Sequence, residues 1–194
     1  MKQRTVIIVQ CRIRSRRLPS KALLDLTNKE NIFQFLLKRL KLVKKADKIV
    51  VTTGDSKIND PIKKFAEKEN IKVFRGDENN VLKRFYDASI KTSADIIVRI
   101  TADNPLSDPF LIDNCISFFK TKKIEHLSCF DKNLLPYGVG CGIFTKEVLK
   151  YTYLKVKSKF DKEHIEPFML RSKKISTFHY NEKKINNKKL RLSI

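Results

Sequence analysis

Short apolar runs alternate with amphipathic stretches along the first 122 residues of the chain. The runs are rich in β-branched residues, which is typical of strands buried on both faces of a parallel sheet. They cover residues 6–9, 48–53, 72–74 and 95–100. Between them, apolar residues recur at the spacing of a helix that lies on such a sheet. We therefore predict three helices, over residues 32–43, 56–70 and 81–91.

This alternation determines the predicted fold. Strands that alternate with helices in this way form a parallel sheet with right-handed crossovers. No internal repeat or linker interrupts the pattern. We therefore predict one α/β domain over residues 1–194, with a mostly parallel central sheet.

The second part of the chain has a less regular pattern. A helix is predicted over residues 109–119, with Asp108 as its N-cap and Pro109 at its first position. A glycine-bearing segment follows at residues 136–144. Two further helices and two strands are predicted after it, over residues 146–153, 164–171, 174–178 and 189–194. Late additions of this sort commonly supply acceptor binding or a dimer surface.

A loop rich in cations follows the first predicted strand. Its five basic residues are Arg12, Arg14, Arg16, Arg17 and Lys21. Open α/β sheets bind ligands at the carboxyl ends of their strands, which is where this loop begins. Arginine pairs with phosphate oxygens through two hydrogen bonds and lysine supplies a compact charge, so the pattern predicts a triphosphate site. The alternative is a solvated surface loop in a very basic chain.

The overall charge of the chain makes nucleic acid an alternative binding partner. The chain has 42 Lys and Arg against 21 Asp and Glu, a formal net charge of +21, which attracts polyanions of any kind. A nucleic-acid-binding module is therefore an alternative function. Against it, the sequence shows no zinc-ligand spacing, helix-turn-helix pattern or aromatic RNA-binding signature, and its lysines are scattered.

The cysteines and the apolar segments bear on redox state and location. Cys11, Cys115, Cys129 and Cys141 are widely spaced without a C-x-x-C pair, which argues against both a zinc site and a redox dithiol. We interpret them as reduced, partly buried thiols. The first apolar run is far too short for a signal peptide, and no long apolar segment follows. We therefore expect a cytoplasmic protein with no membrane partner.

The cationic loop also carries a family resemblance. Its residues match, in order and spacing, the signature Q-A-R-x-G-S-x-R-L-P-G-K of the sugar-activating cytidylyltransferases; the matching residues are Gln10, Arg12, Ser15, Arg17, Leu18, Pro19 and Lys21. The chain is most similar to the SpsF-like branch, which is related to the KDO and acylneuraminate enzymes. The resemblance implies a three-layer Rossmann-like nucleotidyltransferase fold of the nucleotide-diphospho-sugar transferase type. It also implies that Gln10, Arg12, Ser15, Arg17 and Lys21 bind the nucleotide, although Arg14 and Ser20 replace the two family glycines.

A second match follows the fourth predicted strand. Residues 99–105 read R-I-T-A-D-N-P and resemble the family segment R-I-T-G-D-C-P. The match implies that Asp103 holds Mg²⁺ and that Arg99 contacts the nucleotide. A carboxylate at a strand end facing the cationic loop could bridge protein and triphosphate through such an ion. The alternative is that Asp103 only caps a turn before Pro105.

A third match lies between the other two. Residues 74–86 resemble the family pattern F-R-G-x-x-x-x-V-L-x-R-Y-Y. The resemblance places Arg75 and Arg84 near the nucleotide. The alternatives are that Arg75 is a cation at a helix start and that Arg84 is a surface partner of Asp87.

The resemblance places two segments of the second part near the acceptor. Residues 163–168, E-H-I-E-P-F, resemble the family's E-H-V-T-P-Y, which places His164 near the acceptor or a dimer contact. A lone histidine is more often structural, and no triad arrangement surrounds it. Residues 136–144 resemble P-D-G-L-D-V-E-V-F, so Tyr137, Gly140 and Gly142 stand where the family has acids. Tyr137 and Gly138 are the candidate acceptor contacts, and the missing acids predict a different acceptor.

The last residues also resemble the family. K-L-R-L-S-I matches a family strand that runs L-R-L-T-V-D, and the sequence stops before that aspartate. By resemblance the aspartate is a second magnesium ligand. We therefore expect a chain truncated at its C-terminus, able to bind nucleotide but turning over poorly or not at all.

Together these matches predict an Mg²⁺-dependent cytidylyltransferase that transfers CMP from CTP to a sugar or sugar acid in surface polysaccharide biosynthesis. Arg12, Arg17 and Lys21 would stabilise the pyrophosphate leaving group, and no covalent protein nucleophile is needed. Residues 1–122 would bind the nucleotide, and residues 123–194 would bind the acceptor and form a homodimer. The alternative enzyme is a nucleotide-sugar-dependent glycosyltransferase, but Asp103, Asn104 and Pro105 do not form its D-x-D motif.

Overall fold

The computed structural model describes residues 3–13, 20–129, 135–181 and 192–193. Arg14, Ser15, Arg16 and Arg17 of the cationic loop lie outside these residues, as does nearly all of the strand predicted at residues 189–194. In chain order the strands are β1 (Thr5–Gln10), β2 (Asp25–Thr27), β3 (Glu30–Asn31), β4 (Lys48–Gly54), β5 (Lys72–Gly76), β6 (Ile96–Thr101), β7 (His126–Ser128), β8 (Gly142–Thr145) and β9 (Thr177–His179). The helices are α1 (Ile32–Leu40), α2 (Asp60–Lys68), α3 (Val81–Thr92), α4 (Pro109–Lys122), α5 (Lys146–Lys155), α6 (Lys159–His164) and α7 (Glu166–Arg171).

Seven strands form one sheet in the order β5-β4-β1-β6-β8-β7-β9. The first four of these are mutually parallel. Strand β8 runs antiparallel to both of its neighbours, and β9 is parallel to β7. The predicted mostly parallel sheet is thereby confirmed. Strands β2 and β3 form a separate two-stranded hairpin.

Helices cover both faces of this sheet, so the domain has three layers. Alternate residues of β1 point to opposite faces, and Val6, Ile7, Ile8 and Val9 are all fully buried. Ile7 and Val9 join a core with apolar residues of α1, α2 and α4. Val6 and Ile8 join a second core with residues of α3, α5 and α7. The central strand is therefore buried on both sides, as its uninterrupted apolar run predicts.

In the second part of the chain, the predicted helix N-cap is confirmed, whereas one predicted helix has different bounds. Asp108 caps α4, since its Oδ1 accepts hydrogen bonds from the backbone N–H groups of Phe110 (2.8 Å) and Leu111 (3.0 Å). The helix predicted at residues 164–171 is α7, which begins at Glu166, whereas the short helix α6 before it was not predicted; Ile165, at φ 62°, separates the two. A β-branched residue rarely adopts a positive φ, so this turn is locally strained.

Four of the described strands were missed: β2 and β3 of the hairpin, and β7 and β8 of the central sheet. Strand β7 has only three residues, and β8 begins at Gly142, inside a segment whose glycines weaken the strand signal. Among the described helices, none combines the length and the apolar character needed to cross a membrane.

Candidate functional site

A cleft of about 760 Å³ lies at the carboxyl ends of β1 and β6. The two strands are parallel neighbours, with Gln10 opposite Thr101, so the segments that follow them emerge at the same edge of the sheet. Helices α6 and α7 form the facing wall. Most of the predicted site residues that the structure describes line this cleft: Gln10, Arg12, Lys21, Arg84, Arg99, Asp103, Tyr137 and His164.

Lys21 and Asp103 join the two strand ends directly. The Nζ atom of Lys21 lies 2.9 Å from Oδ2 of Asp103. Burial raises the pKa of the Asp103 carboxyl group, but the Thr101 hydroxyl and the Lys21 ammonium group outweigh it and hold that pKa below its ordinary value. Asp103 is therefore a carboxylate at neutral pH, and it is open to the cleft.

Arg12 makes the second ion pair of the cleft. Its Nη2 atom donates a hydrogen bond to Oε1 of Glu163 on α6. About a quarter of the Arg12 side chain and more than a third of the Glu163 side chain remain exposed. The contact spans the cleft from the β1 side to the α6 wall, and it lies where an anionic ligand of Arg12 would compete with Glu163.

Buried polar groups form the floor of the cleft. Arg99 on β6 donates from Nε to Oε1 of Gln10 (3.2 Å) and from Nη1 to Oε1 of Glu166 (2.8 Å). The other oxygen of Glu166 lies 3.6 Å from Nε2 of His126, which is too long for a normal hydrogen bond. Burial raises the pKa of Glu166, but His126 and Arg99 outweigh it and lower the pKa overall. Arg99 is thus held at the floor by a buried carboxylate.

Arg84 lies at the start of α3 and is buried. Its Nη1 atom donates to the backbone carbonyls of Asp77 and Glu78, while its Nε finds no hydrogen-bond partner among the residues that the structure describes. Burial lowers its pKa to about 10, so the guanidinium stays charged at neutral pH. The alternative of a surface partner for Asp87 is wrong, because Lys83 makes that contact at 2.6 Å.

Arg75 does not line the cleft. It pairs with Asp60 at 2.6 Å and donates to backbone carbonyls of residues 54–56. These contacts fasten the end of β5 to the start of α2. This is the helix-start role that the sequence left open, and its predicted nucleotide contact stays a prediction.

The residues after β6 fit a hard divalent cation, because such ions prefer oxygen ligands. Asp103 offers a carboxylate, and Thr101 offers a hydroxyl beside it. Asn104 donates from Nδ2 to the Thr101 hydroxyl (2.8 Å), while its carbonyl oxygen Oδ1 is buried and has no hydrogen-bond partner within the described part of the chain. These three oxygens are the groups that could hold Mg²⁺.

Of the predicted acceptor residues, Tyr137 and His164 line the cleft and Gly138 does not. Tyr137 is 39% exposed and lines it. Gly138 has φ 104°, and a Cβ there would lie 2.8 Å from the backbone of Leu192, so this position requires glycine. His164 packs its ring against Phe160, with centroids 4.6 Å apart, and both residues line the cleft.

Sequence reasoning missed two carboxylates of this site. Glu163 and Glu166 flank the singled-out His164, and both line the cleft. The signal that could have found them is the pair of acids at both ends of the E-H-I-E segment. Their partners, Arg12 and Arg99, are more than 60 residues away in sequence, so no local pattern shows the pairing.

Three cysteines that are distant in sequence meet in the core. The sulfur atoms of Cys115, Cys129 and Cys141 lie within 4.8 Å of one another, with 3.4 Å between those of Cys115 and Cys129. Their wide spacing in sequence therefore does not separate them in space, and whether they form a metal site or a redox pair stays untested. All four cysteines are free, as predicted, and they are more fully buried than the partial burial expected. Among the described residues no histidine or carboxylate completes this cluster as a fourth ligand.

Comparison with known proteins agrees with this fold. The family model described as cytidylyltransferase matches residues 6–188. The uncharacterized protein MJ1063 of Methanocaldococcus jannaschii is 37% identical over 175 residues, which are 90% of this chain and 70% of that protein. The spore coat polysaccharide biosynthesis protein SpsF of Bacillus subtilis is 34% identical over 56% of this chain and 46% of its own length. A solved structure of a cytidylyltransferase from Leptospira borgpetersenii superposes with a TM-score of 0.93 at 32% identity, covering 100% of this chain and 82% of that one.

Proposed function

Because the chain belongs to the cytidylyltransferase family, we propose that it transfers CMP from CTP to a hydroxyl group of a sugar or sugar acid and releases pyrophosphate. The observation that carries this proposal is the placement of Arg12, Lys21 and Asp103 in one cleft. A cluster of cations beside a carboxylate and further oxygen ligands suits a metal-bound triphosphate.

The cations would hold the phosphates. Arg12 and Lys21 would exchange Glu163 and Asp103 for phosphate oxygens, and Arg17 would join them from the cationic loop. Negative charge develops on the pyrophosphate as it leaves, so fixed cations stabilise the transition state more than the ground state. Positioning and electrostatics therefore account for catalysis without a covalent intermediate.

Asp103, with Thr101 and Asn104, would hold Mg²⁺. When bound, this ion would neutralise phosphate charge and orient the triphosphate. The Thr101 hydroxyl and the Lys21 ammonium group keep Asp103 ionised, which is the state that a metal ligand needs. Gln10, Ser15, Arg84 and Arg99 would contact the nucleotide around this centre.

The acceptor would enter from the wall opposite the phosphates. Tyr137 and the paired rings of Phe160 and His164 form an exposed aromatic surface there. Aromatic faces pack well against the apolar faces of sugar rings. Similarity to a spore coat polysaccharide protein supports a role in surface polysaccharide biosynthesis. We also propose a homodimer through residues 123–194, which light scattering would test.

A nucleotide panel tests the proposal. Thermal unfolding is measured with CTP, ATP, GTP or UTP, each with Mg²⁺, and CTP is expected to stabilise the protein most. Asp103→Ala should abolish the part of this stabilisation that depends on magnesium, whereas Asp87→Ala, at an exposed site outside the cleft, should not. If no nucleotide stabilises the folded protein, the nucleotide site is wrong. Selective stabilisation by another triphosphate would overturn only the cytidine assignment.

The same samples test the alternative of a nucleic-acid-binding module. That alternative predicts binding to nucleic acid that weakens steeply with salt and survives Asp103→Ala. Release of pyrophosphate from CTP in the presence of candidate sugars would instead identify the acceptor.

A further inference from the structure

Gly142 lies directly opposite Arg99 in the antiparallel pair of β8 and β6. Its backbone does not require glycine, because Gly138 is the one described glycine with a positive φ. Any residue could adopt this strand conformation. The reason for glycine at this position must therefore be space.

The carboxyl group of Glu166 fills that space. A Cβ atom on Gly142 would lie 2.3 Å from Oε1, 2.6 Å from Cδ and 2.7 Å from Oε2 of Glu166. All three distances are far below van der Waals contact, and Glu166 is only 3% exposed, so its side chain has little freedom to move away. A side chain at position 142 and the present position of Glu166 exclude each other.

Glu166 also makes the contact that an acid at position 142 would make. Residues directly opposite in an antiparallel pair have Cβ atoms about 5 Å apart, so an acid at 142 would face the guanidinium of Arg99. In this chain, Arg99 Nη1 donates to Glu166 Oε1 at 2.8 Å. The buried cation is thus neutralised from the first turn of α7 and not from the neighbouring strand.

We propose that Glu166 replaces, from helix α7, the strand carboxylate that the resembling family segment carries at the position of Gly142, and that it positions Arg99 at the cleft floor. The family segments compared above have glutamate at 142 and threonine at 166, whereas this chain has glycine and glutamate. The two differences compensate each other in charge and in space. Glu166 is a positioning residue, since it acts on the ligand through Arg99 and, beyond it, Gln10.

This replacement of a carboxylate at 142 by one at 166, called the exchange below, changes what the sequence implies about the acceptor. Three acids appeared to be missing from residues 136–144, and their loss predicted a different acceptor. The acid at 142 is not missing, because its charge returns through Glu166. Of the other two positions, Tyr137 lines the cleft and Gly140 does not, so a difference in acceptor is assigned to Tyr137.

Four variants test the exchange: Glu166→Thr, Gly142→Glu, the double variant with both changes, and Glu166→Gln. Breaking a buried ion pair should lower the Tm of Glu166→Thr by about 5–15 °C. Gly142→Glu should also lower it, because its side chain collides with Glu166. The double variant should recover most of the wild-type Tm. Glu67→Thr, the same change at an exposed pair on α2, should shift the Tm by no more than about 2 °C.

The positioning role has a readout that does not depend on activity. Arg99 modification by phenylglyoxal is followed by peptide mass spectrometry, with Arg75 as internal control. Glu166→Gln preserves the shape of the side chain but removes its charge, so it should speed modification of Arg99 at least threefold and leave Arg75 unchanged. In the double variant the rate should return to the wild-type value.

The outcomes decide the inference separately from the proposed function. A double variant that is no more stable than Glu166→Thr, or that is not obtained folded, overturns the exchange. Equal rates of Arg99 modification in wild type and Glu166→Gln overturn the positioning role. The inference rests on the proposed function only in what it says of substrates. If the compensation is observed and wild type binds no nucleotide, the proposed function fails and the exchange stands.

Discussion

Lys21 and Asp103 form an ion pair across the carboxyl ends of β1 and β6, with 2.9 Å between Nζ and Oδ2. The two residues are 82 positions apart in sequence, and they meet because their strands are parallel neighbours. Under the proposed function, Lys21 would bind a phosphate oxygen and the ionised carboxylate of Asp103 would hold a metal ion.

Loss of the Lys21 ammonium group should weaken triphosphate binding. A hydrogen bond to a charged group contributes about 1.5–3 kcal/mol, so Lys21→Ala is expected to raise the Kd for CTP about 10- to 100-fold. Titration calorimetry with Mg²⁺ measures this directly. The matched control is Lys64→Ala, an exposed lysine on α2 outside the cleft, which should change the Kd less than about twofold. Equal losses in the two variants would show that the protein attracts CTP only through its overall charge.

Glu163 forms an ion pair with Arg12, and we expect that removing its charge strengthens CTP binding. Glu163 competes with a phosphate for the guanidinium, and it adds a negative charge to an anion site. Glu163→Gln should therefore tighten CTP binding, by about two- to fivefold, since a partly exposed ion pair contributes about 1 kcal/mol or less. Glu147→Gln removes the same charge from an exposed site on α5 and should leave the Kd unchanged. Weaker binding by Glu163→Gln would mean that Glu163 holds Arg12 in place for the ligand.

The central sheet could be predicted because its strands are continuous β-branched runs. Strands β1, β4, β5 and β6 each retain this signal, and the helices between them make parallel pairing the natural arrangement. Strand β8 escaped prediction for a physical reason. Its first residue is glycine because Glu166 needs the space, and a glycine in a short strand reads as a turn.

The sequence predicted those residues of the site that lie in local motifs. Arg12, Lys21 and Asp103 were singled out because their segments resemble those of the family, and all three line one cleft, while their roles stay predictions. Their carboxylate partners on α6 and α7 were not found, because pairing over such sequence distances depends on the tertiary fold. Arg84 was open to interpretation as a surface residue for a related reason. Basic residues occur throughout this chain, so the sequence does not show that one arginine of a helix is buried while the others are exposed.

Acid should weaken the protein through Glu166. The pKa of this carboxyl group is lowered from the ordinary 4.5 in the folded protein, so the unfolded chain binds its proton first as the pH falls. The stability that the carboxylate contributes is fully present above about pH 4.5 and is lost as the pH falls through the lower, folded value. Urea denaturation between about pH 7 and about pH 3 should show a steeper decline for wild type than for Glu166→Gln. Parallel declines would show that Glu166 carries no such charge in the folded state.

The four buried cysteines predict a sharp pattern of thiol reactivity. Each is at most 4% exposed, so none should be accessible to an aromatic disulfide reagent in the native protein. All four should react at once after denaturation without reductant, and Cys115→Ser should give three. If only two react in denatured wild type while all four react after reduction, one disulfide has formed; peptide mass spectrometry would then show whether it joins Cys115 and Cys129, whose sulfur atoms are 3.4 Å apart. If the missing thiols appear only when a chelator is added, the cluster of Cys115, Cys129 and Cys141 holds a metal ion instead.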